Sequence, residues 1–290
     1  MTAKPVVVAT DGSGESLRAV EWAAREAALC RAPLRIVSAA SLPKMVMLQL
    51  QPERDAVLGY VREQRDRALA AAATRAAQLA PGLLIDTDPV EGQAARAVTE
   101  GGSGALMLVV GFRGIGAFAA MVLGSVARYA ADHASCPLVV VRGEAAAVHR
   151  LVGVGVGDLE DCAGALTFAF EQAALRQARL MAIHAWHAPQ ASITWAGDRF
   201  PPAGLHVAAA GAARQLTLLM DQWRAKYPDV PVSTDVVHGH PGRTLAGLSA
   251  RADLVVIGRH ASHPARPGPG CVLHAVLNHA HGPKAVVPSP

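Results

Sequence analysis

The chain has 290 residues, of which 51% are apolar and 17% charged. That length suits two domains, and the composition excludes a disordered chain. The 27 Lys and Arg against 23 Asp and Glu leave a net charge of +4 with no run of five like charges. That pattern does not support a nucleic-acid or membrane-surface footprint. Aromatic residues make up only 4%, so the core rests on Ala, Val and Leu. Such small aliphatic residues suit helices packed on a buried parallel sheet.

The start, MTAKPVVVATDGS, carries no apolar run of signal-peptide length before Asp11. Pro5–Thr10 reads as a strand: short, β-branched and bounded by Asp-Gly. Gly14–Arg31 is a helix, with Leu17, Val20, Ala24, Ala27 and Ala28 near the 3.6-residue period. Leu34–Ala39 is a strand, and Pro52–Ala80 a long Ala/Arg helix stopped by Pro81-Gly82. Leu83–Val90 is a strand and Gln93–Gly101 a short helix. Ala105–Val110 is a strand, Val122–Ala134 a helix and Pro137–Arg142 the closing strand. The longest stretch without Asp, Glu, Lys, Arg or His, Gly114–Ala127, is too short to span a bilayer.

The order then begins again. Val6–Ala40 lies over Val152–Trp186, with Ala19, Ala23, Ala27, Ala28, Leu29, Ala32, Leu34 and Ala39 recurring as Ala165, Ala169, Ala173, Ala174, Leu175, Ala178, Leu180 and Ala185. Gly124 and Pro137 recur as Gly270 and Pro283. Solenoid repeats run about 20–50 residues, so this is a duplicated domain. The second set of elements is expected at 151–156, 162–176, 179–185, 204–227, 231–237, 242–250, 253–257, 271–280 and 283–287. Apolar strands alternating with helices predict an α/β fold of two tandem doubly wound domains, each with a five-stranded parallel sheet. The expected domains are 1–146 and 147–290. The four cysteines, Cys30, Cys136, Cys162 and Cys271, form no CxxC pair and fit reduced thiols. The expectation is a soluble, cytoplasmic protein without a membrane partner.

In such a fold ligands sit at the carboxyl ends of strands where the strand order reverses. Thr10-Asp11-Gly12-Ser13 follows the first strand. The Asp11 carboxylate can accept hydrogen bonds from ribose hydroxyls or an amine. Alternatively, Asp11 or Ser13 merely caps the next helix. The fourth strand is followed by GFRGIGAFAAMVLGSV, with Gly111, Gly114 and Gly116 in a loop before Gly124-Ser125 opens a helix. Glycines let backbone N–H groups approach phosphate, and a helix N-terminus adds partial positive charge. Ser125 offers a hydroxyl and Arg113 a guanidinium fork. A flexible Gly-rich turn is the plain alternative.

Gly111-x2-Gly114-x9-Gly124-Ser125, together with Asp11 after the first strand, resembles the ATP-binding signature of the universal stress protein family. LMLVVGFRG, CPLVVV, ADLVVIGRH and HAVLNHAHGPKAVV are similar to segments of that family across both halves. The resemblance implies a Rossmann-like fold and an ATP site in the first half, with or without Mg2+. Ala9, Thr10 and Asp11 would line adenine and ribose, and the backbone at Ala39 would bond adenine. Gly111, Arg113, Gly114, Gly124, Ser125 and Val126 would surround phosphates and ribose. The family's G-x-P turn is Gly92-Gln93-Ala94 here. The resemblance further implies pairing through the last strands, Leu138–Arg142 and Ala285–Val287, as an intrachain pseudo-dimer or a homodimer.

The second half departs from the signature. Gly157 stands at the place of Asp11, with Asp158 adjacent, and the loop reads Gly258-Arg259-His260-Ala261 before Gly270-Cys271. Pro264, Pro267 and Pro269 remove backbone donors from it, while Arg259, His260, His263 and Arg266 keep a positive character. That half reads as degenerate. Gly153–Gly157 spells GxGxG inside a strand and lacks the GxGxxG spacing of a dinucleotide site. His274, His279 and His281 do not share one helical face, so no metal is expected. Met45-Val46-Met47-Leu48 reads as a lid over adenine, a contact patch or a satellite cluster. No P-loop, GxSxG elbow or HEXXH occurs, and no general base stands near the expected phosphates. The expectation is therefore an ATP-binding stress-response module and not a turnover enzyme. A slow ATPase or autokinase, and a nucleotide-free scaffold, are the alternatives.

Overall fold

The computed structural model describes residues 3–41, 51–114, 123–143, 148–157, 162–186, 202–259 and 270–289. The chain divides into two compact units, Met1–Ala145 and Ala146–Pro290, each α/β. In the first unit β1 (Val6–Ala9), β2 (Leu34–Ala40), β3 (Ile85–Glu91), β4 (Met107–Gly111) and β5 (Leu138–Val141) alternate with α1 (Gly14–Cys30), α2 (Gln51–Leu79), α3 (Ala94–Gly101) and α4 (Ser125–His133). The strands are all parallel, in the order β3-β2-β1-β4-β5. The order runs outward from β1 to β3, then returns to β4 on the other side. The reversal falls between β1 and β4, which opens a crevice at their carboxyl ends.

Both faces of this sheet are covered, and that is why its central strands carry no alternation. Val6, Val7 and Val8 are fully buried, as are Leu108 and Val109. Along β4 the side-chain direction alternates. A Cβ at Gly111 would meet the α1 backbone, whereas Leu108 packs on Gly102 at the end of α3. So α1 and α2 cover one face and α3 and α4 the other. The long α2 applies Ala68, Leu69, Ala72 and Ala76 to the interior. β3 lies at the sheet edge with mostly exposed positions, where Pro89 and its missing N–H are tolerated. α1 ends at Arg31, a left-handed residue with φ 51° whose N–H closes the last turn.

The second unit repeats the scheme with β6 (Leu151–Gly155), α5 (Ala163–Leu175), β7 (Arg179–Trp186), α6 (Pro202–Lys226), β8 (Val232–His238), α7 (Pro241–Leu248), β9 (Leu254–Arg259), α8 (Gly270–His279) and β10 (Lys284–Pro288). Its strands are parallel in the order β10-β9-β6-β7-β8. Asp253 ties its entry segment down: one carboxylate oxygen accepts from His149 N–H at 2.7 Å, the other from Leu151 N–H at 3.0 Å. Among the described residues no helix is long and apolar enough to cross a membrane.

The elements fall close to those expected from periodicity. One correction concerns α4, expected from Val122. It starts at Ser125 because Gly124 is extended (φ −61°, ψ 153°) and serves as N-cap. The Met45–Leu48 segment lies outside the described residues. The GxGxG run is now explained by packing. A Cβ at Gly153 would overlap Leu248 Cδ2, and one at Gly155 would stand 2.7 Å from Leu245 Cδ1. These glycines admit two α7 leucines onto the sheet, while the first unit places Val7 and Ala9 at the matching strand positions.

Gly153→Ala is expected to destabilise the protein by about 1–3 kcal/mol through overpacking. Leu248→Ala alone costs about 2–5 kcal/mol. The double variant should be more stable than the sum of the two losses by at least about 0.5 kcal/mol. Urea melts of the four proteins measure this cycle. Strict additivity would show that Gly153 and Leu248 do not share space.

Candidate functional site

The loop between β1 and α1 is organised by its own polar side chains. Ser13 is the N-cap of α1, and its Oγ accepts from Ser16 N–H at 3.2 Å. Ser16 Oγ donates to Ser13 carbonyl at 2.9 Å and lies 3.1 Å from Thr10 Oγ1. Thr10 Oγ1 accepts from Gly12 N–H at 3.2 Å. Thr10 and Ser16 are buried. Gly12 adopts φ +80°, and a Cβ there would stand 3.2 Å from Ala68 Cβ. Only glycine takes this turn beneath α2 without strain.

Asp11 itself is exposed. One oxygen, Oδ1, accepts from Ser13 N–H at 3.0 Å, closing an Asx turn. The other reaches toward the β4 loop: a Cβ on Gly114 would overlap Asp11 Oδ2. Ser13 thus caps α1, as the plain alternative for this loop expects, while Asp11 Oδ2 reaches across to Gly114.

The β4 loop approaches by backbone. A Cβ at Gly111 would lie 2.9 Å from the Glu15 carbonyl oxygen and 3.1 Å from Ser16 N. Phe112 N–H donates to Val141 carbonyl at 2.8 Å, and Phe112 carbonyl accepts from Gly124 N–H at 2.9 Å. That second bond brings the N-terminus of α4 back to the end of β4. A Cβ at Gly124 would sit 3.4 Å from Arg113 Cα. The first bond inside α4 runs from Arg128 N–H to Gly124 carbonyl at 2.9 Å. The N–H groups of its first turn, at Ser125 and Val126, thus have no acceptor within the helix.

Thr10 and Asp11 of the β1–α1 loop are therefore drawn together with Gly111, Arg113, Gly114 and Gly124, which run from the end of β4 to the N-cap of α4. Ser125 and Val126 follow on the same helix. Ala9 ends β1 opposite Val37, and Ala39 lies two residues farther along β2, on the same carboxyl edge. Gly116 lies outside the described residues. Sequence reasoning missed the Thr10–Ser16 hydroxyl pair. It gave no sign either of the contact of Arg142, whose guanidinium carbon is 4.4 Å from the Phe112 ring centroid. The hydroxyl pair was legible in the repeat, because Val156 and Cys162 replace Thr10 and Ser16.

In the second unit the residues at the places of Thr10 and Ser16, Val156 and Cys162, carry no hydroxyl. α5 begins after Cys162, which offers no side-chain cap. His184 Nδ1 lies 2.9 Å from Val156 carbonyl at the strand end. Asp158, His260, Ala261, His263, Pro264, Arg266, Pro267 and Pro269 lie outside the described residues. Among the described residues no group of three or more His, Cys, Asp or Glu is placed to hold a metal ion.

The model of the universal stress protein family matches residues 2–142 and again residues 149–288. Universal stress protein Rv2005c of Mycobacterium tuberculosis is 33% identical over 301 residues, covering 97% of this chain and 96% of that protein. Universal stress protein Rv2623 of the same organism is 30% identical, covering 87% and 85%. The crystal structure of a universal stress protein from Archaeoglobus fulgidus superposes with TM-score 0.70 at 16% identity, covering 99% of each chain. That likeness concerns the fold.

Gly111→Ala is expected to cost about 1–3 kcal/mol, because backbone of α1 has to give way. Gly114→Ala meets only the tip of Asp11 and should cost less while displacing the carboxylate. Thermal melts of the two variants test the order. A larger loss for Gly114→Ala would show that Asp11, and not the α1 backbone, sets the loop spacing.

Proposed function

The chain belongs to the universal stress protein family, and on that premise we propose that it is an ATP-binding regulatory module with its nucleotide in the first unit. One observation carries the reading: Asp11 and Gly114 meet across the β1–β4 crevice, beside the N-terminus of α4. An acidic acceptor there suits ribose hydroxyls. Side-chain-free backbone and the first turn of a helix suit phosphate oxygens. The exposed Asp11 leaves this edge open to a ligand, while Thr10 and Ser16 hold the loop beneath it.

The proposed roles divide along the crevice. Ala9, Thr10 and the backbone at Ala39 flank adenine, and Asp11 orients the ribose. Gly111, Gly114, Gly124, Ser125 and Val126 hold phosphates, with Arg113 adding charge. The second unit, with Gly157 for Asp11 and Cys271 for Ser125, serves as a structural partner. No carboxylate or imidazole of the set is assigned to activate water at the phosphates. The function is therefore occupancy-dependent regulation.

Isothermal titration of the full chain should give one ATP per chain. Loss of an acceptor charge alone weakens a site by about 1.5–3 kcal/mol, or at least tenfold. Pro264, Pro267 and Pro269, which carry no backbone N–H, add to that deficit in the second unit. Gly124→Asp is the sharper test, since aspartate is a good N-cap and Gly124 already has a compatible backbone. A Cβ there stands 3.3 Å from the Phe112 carbonyl oxygen, so the variant should lose a little unliganded stability, and it should lose entirely the ATP-dependent rise, which is about 2.7 kcal/mol at a hundred times Kd. Two equivalent sites, or binding that survives Asp11→Ala with Gly124→Asp, would overturn the assignment.

ATP turnover should stay far below the common enzyme value of about 10 per second. Steady ADP release near that rate, abolished by Asp11→Ala, would make the protein an ATPase instead.

A further inference from the structure

A one-way chain of hydrogen bonds holds the turn that carries Asp11. Ser16 Oγ donates its single hydrogen to Ser13 carbonyl at 2.9 Å, an oxygen that also accepts from Leu17 N–H at 2.9 Å. A carbonyl cannot donate, so the 3.1 Å contact between the two hydroxyls runs from Thr10 Oγ1 to Ser16 Oγ. Thr10 Oγ1 in turn accepts from Gly12 N–H at 3.2 Å, and Ser16 Oγ from Asp11 N–H at 3.3 Å. Two hydroxyls, on residues only 5% and 4% exposed, thus receive two consecutive backbone N–H groups. Thr10 spends its hydrogen inward and has none to offer a ligand. Asp11 is held at both ends: its N–H by Ser16, its Oδ1 by Ser13 N–H at 3.0 Å. Ser16 is itself seated against β4, since a Cβ at Gly111 would stand 3.1 Å from its backbone nitrogen.

The second unit shows the same strand end without the hydroxyls. Val156 N–H donates to Ile183 carbonyl at 2.8 Å, as Thr10 N–H does to Val37 carbonyl at 2.9 Å. Val156 and Cys162 stand at the places of Thr10 and Ser16. There α5 starts at Ala163, the place of Leu17, whereas α1 starts about a turn earlier, at Gly14. The hydroxyl pair therefore goes with the first turn of α1 and with the held aspartate. A group ordered before binding loses less freedom when its ligand arrives.

We infer that Ser16, working with Thr10, is a positioning residue of the nucleotide site. It presets Asp11 for the ribose hydroxyls and so sets a preference for nucleotides that carry them. This deepens the nucleotide reading above and rests on it. The hydroxyls of Thr10 and Ser16 act through Asp11 and not on the ligand.

The test is isothermal titration of the full-length protein with ATP and with dideoxy-ATP, which lacks both ribose hydroxyls. Wild type is compared with Asp11→Ala, with Thr10→Val/Ser16→Cys, and with the triple combination. The double variant carries the second unit's own residues, and removing both partners leaves no orphaned hydroxyl. Wild type should bind ATP at least about tenfold tighter than dideoxy-ATP. The double variant should weaken ATP about three- to tenfold and leave dideoxy-ATP within about twofold. Added to Asp11→Ala, it should change ATP affinity by no more than about twofold. Thr10→Ser, which keeps the chain of bonds, should retain the wild-type ratio. Equal weakening of both nucleotides, or a full additional loss on Asp11→Ala, would reduce the pair to structural support. Unchanged ATP affinity would remove it from the site. If the double variant fails to fold, Thr10→Val alone, which keeps the Ser16–Ser13 bond, is read in the same way. A wild type that binds ATP and dideoxy-ATP alike overturns this inference alone, whereas one that binds neither overturns the nucleotide reading as well.

Discussion

At the carboxyl edge of the first unit, backbone meets backbone with no side chain between. Gly111 presses on the α1 backbone at Glu15 and Ser16, closer than any Cβ allows. Gly114 leaves room for the Asp11 carboxylate, and Gly124 for the end of β4. Each contact constrains the next. Because α1 sits tight on β4, Ser13 and Ser16 lie where they can organise the β1 turn, and Asp11 is held over the crevice. Because Gly124 N–H bonds the Phe112 carbonyl, α4 starts beside the same crevice. The glycines matter here chiefly as absences of volume. Of them, Gly12 alone needs its left-handed φ.

Duplication gave two copies of one fold, and the copies have repartitioned volume and polarity. In the first, the central strand carries Val7 and Ala9; in the second, Gly153 and Gly155 accept Leu248 and Leu245. The core stays filled either way, as a close-packed interior requires. The polar exchange is not neutral. Thr10 and Ser16 form a buried hydroxyl pair in the first unit. Val156 and Cys162 stand at those places in the second, and α5 starts without a side-chain cap. Packing is conserved through compensation, while the groups that shape the edge loop are not.

Electrostatics at this edge is local. Phe112 contributes a buried ring and a carbonyl, and through them it sets Arg113, Arg142 and the N-terminus of α4 near one another. Cation–π stacking is modest in energy, about 0.5–2 kcal/mol. Its larger effect is to restrict two long side chains that otherwise sample many rotamers.

The sequence by itself determined the duplication, the parallel α/β class and most element positions, because strand and helix periods are local properties of the chain. It also marked Asp11, Gly111, Gly114 and Gly124 as belonging to one edge, since their places at strand and helix ends follow from those periods. It left undecided whether Asp11 capped a helix or faced a ligand. The tertiary structure shows Ser13 capping α1 and Asp11 Oδ2 lying against Gly114, about a hundred residues away, a contact no local pattern contains. The meaning of Gly153 and Gly155 was hidden for the same reason: it lies in Leu245 and Leu248 on a distant helix. The contact of Arg142 with the Phe112 ring was invisible too, because it depends on register between β4 and β5 and on a ring that β4 delivers. Local pattern is written along the chain, but which backbones touch without side chains between them is settled only when the sheet is assembled.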